Sequence, residues 1–246
     1  MKRLHSQIIL GLLLIASSAA LYFAQYAVFH ESRDILFYLF QDLAFVPIQV
    51  LLVTLILDQM LSAREKQATL NKMNMVIGVF FSEVGTNLLR SFFEFDKQPD
   101  QIMQSFASGG HWSDQDFNHI KKHLKGHDYR IESRSGDLEN LRDFLIGQRR
   151  FLVSLLENPI LLEHESFTDL LWAVFHLTEE LGYRTDVKRL PDKDYEHLSG
   201  DIKRAYVQLI TEWISYMRHL RDSYPYLFSL AIRTNPFDPN ASPEFK

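Results

Sequence analysis

The stretch ILFYLFQDLAFVPIQVLLVTLIL, residues 35–57, decides the fold class of this chain. It carries one charged side chain in 23 residues, Asp42, and sixteen of its residues are Leu, Ile, Phe or Val. On a scale of membrane insertion, those sixteen contribute roughly −5 to −10 kcal/mol, against about +3 kcal/mol for one central aspartate. A helix of this length also crosses a hydrocarbon core of roughly 30 Å. The stretch therefore predicts a transmembrane helix.

A second uncharged stretch, residues 8–29, lies upstream and is 22 residues long. A cleaved signal peptide is the alternative, because Ser18-Ala19-Ala20 resembles a cleavage site after a short apolar segment. The apolar run continues past that point, which favours a second membrane span. Because the linker 30–34 is short, we expect a tight transmembrane hairpin in residues 1–61, with spans of about 8–29 and 35–57.

Basic residues near the ends of the two spans predict the orientation of the hairpin. They are Lys2 and Arg3 before the first span, and Arg64, Lys66 and Lys72 after the second. The linker carries only Arg33. Because an excess of Lys and Arg marks the cytoplasmic side, both termini are expected in the cytoplasm. The absence of cysteine agrees with a reducing compartment.

Small residues recur every fourth position in the first span, at Ala16, Ala20 and Ala24. Small residues let two helices approach closely in lipid, where packing drives association. We therefore expect this face to pack against another copy of the chain in a homo-oligomer. The alternative is that alanines are common in membrane helices and that their spacing is chance.

Polar side chains in the second span fall on one helical face, at Tyr38, Asp42 and Gln49. An ionisable group at membrane depth must face protein or water, so Asp42 is a candidate to bind a cation, relay a proton or line a pore. If the spanning part is instead residues 43–61, Asp42 lies at the level of the headgroups. The sequence allows both positions of the second span in the bilayer, because the apolar run is longer than a bilayer requires.

The remaining sequence predicts a helical bundle in the cytosol. Apolar residues at helical spacing predict a stalk helix over 62–95, with Glu83 as a semi-buried carboxylate. With the bundle residues 96–232, the stalk makes about four major helices in the cytosolic part, and no stretch after residue 60 shows sustained strand alternation. One helix is expected to start at the capping-box residues Ser113 and Asp116.

Other helices of the bundle are expected over 138–157, over 166–182 and from about 198 until Pro225. The tail, residues 233–246, is expected to be extended, either packed on the bundle or free. The fold class is thus an all-α membrane protein, a two-span N-terminal hairpin that continues into a cytosolic helical bundle.

Histidines provide the strongest local cluster in the cytosolic part. His119 and His123 lie one helical turn apart and could hold a metal ion, with His127 as a third ligand past the helix end near Gly126. Nearby Lys and Arg residues oppose metal binding and favour a solvated basic face. A third reading is that the imidazoles bind anionic lipid headgroups more strongly as the pH falls.

Two further histidines, His176 and His197, are candidate ligands. His176 lies in an apolar helix and is expected to be a hydrogen-bonded core residue. The pair Asp194-x-x-His197 is the nearest match to a di-iron Glu-x-x-His motif, but it occurs once and beside a loop.

Several function classes are excluded or disfavoured by composition. The net charge of −5 disfavours nucleic acid as a partner, and the absence of cysteine excludes thiolate metal sites. There is no glycine-rich phosphate loop, no G-x-S-x-G and no H-E-x-x-H motif, and no cofactor is assigned.

We therefore expect a non-enzymatic scaffold or sensor, anchored in the lipid bilayer as a homo-oligomer. The first alternative is an ion-conducting homo-oligomer with Asp42 and Gln49 near the path. The second alternative is a membrane-tethered metal-dependent enzyme that uses His119 and His123.

Overall fold

The computed structural model describes residues 16–21, 23–24, 26–27, 32–106, 112–238 and 240–244. Helices form nearly all the regular structure in this part of the chain, and an isolated bridge joins Asp96 and Ile131. No strand forms among these residues, so the prediction of an all-α protein is confirmed. The chain divides into two compact units, Met1–Lys66 and Gln67–Lys246.

The first unit contains the apolar sequence. Its described positions between 16 and 27 are helical, and the long helix α1 spans Ser32–Phe80 with Pro47 inside it. Among the described residues, one helical run, Phe37–Glu94, is long and apolar enough to cross a membrane. The span predicted at 8–29 lies partly outside the described residues, so the second membrane helix stays a prediction.

A single π-helical turn, Phe81–Gly85, follows α1 and leads into helix α2, Thr86–Glu94. The Thr86 hydroxyl donates to the Phe81 carbonyl at 2.8 Å, and the Phe81 ring stacks on Tyr216 with centroids 5.0 Å apart. A Cβ atom on Gly85 would meet the Phe81 ring at 2.6 Å, so glycine lets the turn close. Single π-helical turns of this kind occur inside α-helices, often at functional sites.

The predicted semi-buried position of Glu83 is wrong. Phe81 and Val84 occupy the buried side of the π-helical turn, and Glu83 is exposed to solvent. Its carboxylate is therefore hydrated and needs no protein partner.

Six more helices complete the second unit, and one 3₁₀ turn, Leu161–Glu163, precedes the fourth of them. They are α3 Pro99–Phe106, α4 Asp114–Gly126, α5 Leu138–Leu156, α6 Glu165–Gly182, α7 Asp192–Ser223 and α8 Pro225–Arg233. Helix α6 packs against both α5 and α7, and α8 packs back on α7. The predicted start of α4 is confirmed, because Ser113 and Asp116 form a capping box.

The tail after α8 is packed on the second unit through Phe237, which is 1% exposed. Its ring stacks on Phe106 with centroids 4.6 Å apart and meets Trp213 and Phe93 edge-on at 5.3 and 5.9 Å. Of the two arrangements expected for the tail, Phe237 adopts the packed one.

We expect Phe237→Ala to lower the free energy of unfolding by about 3–5 kcal/mol, the usual cost of truncating a buried phenylalanine. Urea unfolding of the full chain in detergent, followed by tryptophan fluorescence, measures it, since Trp213 lies beside the ring. Tyr226→Ala is the matched control, because Tyr226 is 70% exposed and should cost little. Equal midpoints for the two variants would mean that the tail does not contribute to the core.

Candidate functional site

The most extensive surface feature is the apolar surface of α1. Between Phe37 and Leu61, large hydrophobic side chains on every side of the helix are 42–69% exposed. Contiguous apolar surface of this kind marks a membrane or protein interaction site. A helix that is hydrophobic all round is buried in protein or spans a membrane.

The polar residues predicted to share one face of this helix do share it in the structure. Tyr38, Asp42 and Gln49 all lie in α1 at spacings of four and seven residues, and all three are exposed. Ala16 and Ala20 in the upstream segment are helical and exposed, and so is Ala24. Their roles in conduction and packing stay predictions.

The rings of His119, His123 and His127 stack one after another on the surface of α4, and we call them the histidine row. The ring centroids of His119 and His123 are 6.4 Å apart, and those of His123 and His127 are 6.5 Å apart. His119 and His123 are exposed, whereas His127 caps the C-terminal end of α4 and is half-buried. The row shares an open depression with the cations Lys122 and Arg130.

His127 sits in a polar pocket with buried neighbours. Its Nε2 is buried without a hydrogen-bond partner, and its ring meets Tyr129 edge-on at 4.6 Å. Burial lowers the pKa of His127, and the nearby Asp96 carboxylate partly opposes that change. Burial also raises the pKa of Asp96, against a hydrogen bond that its Oδ1 accepts from the Gln98 backbone at 2.9 Å. The pocket therefore favours a neutral imidazole.

Because the pKa of His127 is lowered on folding, the unfolded chain binds more protons than the native chain as the pH falls through about 6.5. This residue should therefore destabilise the protein progressively at acidic pH. We expect His127→Gln to lose less stability than wild type between pH 7.5 and 5.5, as measured by thermal unfolding. The charges that bear on His127 include Asp96, His123, Asp128 and Lys203.

The exposed neighbour His119, replaced by Gln in the same way, is the control for this pH series. Parallel curves for wild type and His127→Gln would contradict the assigned effect of burial.

A second group of titratable side chains lies between α6 and α7. His176 and Glu180 project from α6, and His197 and Asp201 project from α7, each pair separated by one helical turn. The two imidazole Nε2 atoms lie 3.5 and 3.2 Å from the Oδ2 atom of Asp201. They lie 3.9 and 3.6 Å from the carboxylate oxygens of Glu180. We call these four residues the α6–α7 cluster.

Two arginines hold the carboxylates of the α6–α7 cluster. Arg184 donates to Glu180 Oε2 at 2.6 Å, which holds the pKa of Glu180 below its ordinary value. Arg204 donates to Asp201 Oδ1 at 3.1 Å. Both carboxylates therefore keep one oxygen bound to a guanidinium.

The predicted core position of His176 is wrong. Its side chain is 46% exposed, because it lies at the edge of the α6–α7 contact beside the carboxylates. Asp194 pairs with Arg184 at 3.6 Å, and His197 lies against Asp201 instead.

Sequence reasoning missed the α6–α7 cluster. Among the described residues, His176, Glu180 and His197 are the group whose ligand atoms all lie within 4.8 Å of one another. That group does not include Asp201, and it does not include His119, His123 or His127. The signal present in the sequence is a pair of spacings, His-x-x-x-Glu at 176–180 and His-x-x-x-Asp at 197–201.

Comparison with known proteins gives similarity along nearly the whole chain. A family model described as "MJ1433, N-terminal helical domain" matches residues 2–61. Another, described as "Uncharacterized protein MJ1433, C-terminal helical domain", matches residues 69–233. The boundary between the two lies where the structure divides, at residues 66 and 67.

One relative, "Uncharacterized protein MJ1433" from Methanocaldococcus jannaschii, is 45% identical over 231 residues. The match covers 94% of this chain and 93% of the relative. No solved structure matches the chain.

Proposed function

The chain belongs to the MJ1433 family, and we propose that it is a membrane-anchored helical protein that works as a non-enzymatic scaffold or sensor. The observation that carries the proposal is the uncovered apolar surface of α1 between Phe37 and Leu61. In water, exposed apolar surface costs roughly 25 cal/mol per Å². A helix with this many exposed apolar side chains is therefore stable only when an apolar partner covers it. A lipid bilayer is a partner that surrounds a helix on every side.

The second unit supports the scaffold part of the proposal. Its interior is filled by large aromatic and aliphatic side chains from α2 to α8, with Phe92, Phe167 and Tyr206 fully buried. Such a packed bundle suits a rigid domain that holds or transmits contacts. In the proposed topology, a hairpin of two spans places both termini and this unit in the cytoplasm, as the basic residues flanking the spans favour.

Membrane anchoring predicts that the wild-type chain stays in the membrane fraction after alkaline carbonate extraction. Each arginine near the centre of a span costs about 2.5–3.5 kcal/mol on the insertion scale, so Leu52→Arg with Leu55→Arg should weaken membrane retention and leave only the first predicted span as an anchor. The matched control places two arginines at the exposed positions Ile146 and Leu162 of the second unit and should remain membrane-bound. Wild-type protein extracted by carbonate would overturn the proposal.

The orientation of the membrane hairpin is tested with reporter fusions in cells that express the chain. A reporter fused after Lys246 should report the cytoplasm, and one inserted in residues 30–34 should report the opposite side. Reversed signals would overturn the assigned topology without affecting the membrane anchor.

Ion conduction by a homo-oligomer is the second candidate function. It is favoured by the shared face of Asp42 and Gln49 in the largely apolar segment 35–57 of α1, because polar side chains in a span mark ion pathways. Assembly would use the small-residue face of Ala16, Ala20 and Ala24.

Two substitutions test this candidate in reconstituted vesicles. Ala20→Leu should block close helix approach and shift the assembly to smaller species in mass photometry. Asp42→Asn removes a charge at constant shape, so it should change ion flux or selectivity at matched insertion. No flux from wild type would remove the conducting function, and equal flux from both chains would remove Asp42 from the path.

A further inference from the structure

We propose that the α6–α7 cluster, His176, Glu180, His197 and Asp201, binds a divalent transition-metal ion, with Zn²⁺ as the best-fitting common ion. The site is independent of the proposed membrane anchor, because all four residues lie in the second unit. It is also separate from the histidine row of α4.

The spacing of the ligand atoms fits one ion. In a tetrahedral zinc site, ligands about 2.0–2.1 Å from the metal lie about 3.3 Å from one another. The four pairs between an imidazole Nε2 and a carboxylate oxygen measure 3.2, 3.5, 3.6 and 3.9 Å. The ligand atoms of His176, Glu180 and His197 all lie within 4.8 Å of one another, and Asp201 Oδ2 lies beside both imidazoles.

Asp201 gives an independent indication of a cation site. The side chain of Asp201 is 3% exposed, and its Oδ2 atom is buried without a hydrogen-bond partner. The two Nε2 atoms approach this oxygen closely, yet neither makes a hydrogen bond to it. A buried charged acceptor left without a partner destabilises the fold, and a bound cation would remove that cost.

The arginines supply the outer contacts that metal ligands usually have. Arg204 binds Asp201 Oδ1 and leaves Oδ2 toward both imidazoles. Arg184 binds Glu180 Oε2, which lies 3.6 Å from His197, and leaves Oε1 toward His176. Such outer partners orient the ligands of metal sites. They also offset the charge of both carboxylates, so we expect weaker binding than at a thiolate site.

The donor set selects the class of ion. Two imidazoles with carboxylates suit zinc and other late first-row metals, whereas Mg²⁺ and Ca²⁺ prefer all-oxygen sites. Because His176 and Glu180 come from α6 and the other two ligands from α7, the ion would cross-link two helices. An ion that binds the native chain alone raises its stability by mass action.

Zinc binding to the full chain tests the proposal directly. The protein is prepared in detergent without a histidine tag, stripped with a chelator, loaded with Zn²⁺ and desalted, and its metal content and thermal unfolding are measured. We expect about one Zn²⁺ per chain and a higher unfolding temperature with Zn²⁺ but not with Mg²⁺. No retained zinc in the wild type would overturn the proposal.

Variants then locate the site. His176→Gln, His197→Gln and Asp201→Asn should each weaken Zn²⁺ binding at least about tenfold and abolish the zinc-dependent rise in unfolding temperature. Asp201→Asn keeps an acceptor for Arg204, so circular dichroism should show that the variant is folded.

The matched control is the double substitution His119→Gln with His123→Gln, which removes two other histidines and should retain one Zn²⁺. Zinc lost in the control but kept in the α6–α7 variants would overturn the proposal. A Co²⁺-loaded wild type should show a visible d–d absorption that disappears in His197→Gln, which a purely structural ion pair would not produce.

Discussion

The packing of α6 against α7 is the constraint on which the rest of the second unit depends. Helix α6 buries eight residues and α7 buries twelve, most of them aliphatic or aromatic. Each fully buried side chain of this kind contributes about 1.5–3 kcal/mol, although area-based values are upper estimates. That total far exceeds the cost of one unsatisfied carboxylate oxygen. Apolar packing can therefore hold Asp201 in place without a cation.

The same hydrophobic force acts differently on the two units. In residues 67–246, large apolar side chains cover one another, and the charged groups lie mostly at the surface. Between Phe37 and Leu61, apolar side chains of similar size are 42–69% exposed in the part of the chain that the structure describes. A single hydrophobic composition value averages these two situations, so the position of charges along the chain is more informative than their number.

Local signals made much of the helical architecture predictable. The capping box at Ser113 and the apolar period of 138–156 depend on neighbours three or four residues away, which a sequence displays directly. The Phe81 ring in the π-helical turn stacks on Tyr216, and the Phe237 ring packs on Phe106 and Trp213, all of them distant in sequence. Those features could not be read from local pattern.

Pro225 marks both the end of one helix and the start of the next. Pro225 was expected to end the preceding helix, and α7 does end at Ser223. Pro225 also occupies the first turn of α8, where its missing N–H has no partner to lose and its fixed φ suits a helix. Pro99 begins α3 in the same way. A proline between apolar segments therefore indicates a boundary, and the apolar pattern after it decides whether a new helix starts.

The α6–α7 cluster was predictable in principle, from two spacings and one connection. Helix α6 ends at Gly182 and α7 begins at Asp192, so the C-terminal end of α6 and the start of α7 are neighbours in space if the helices pack antiparallel. The pairs His176 with Asp201 and Glu180 with His197 have the antiparallel register, since one number rises by four as the other falls by four. A search for two ligands three residues apart on one helix does not find this cluster. Each helix contributes two side chains four residues apart, and the site forms only when the fold packs the two helices together.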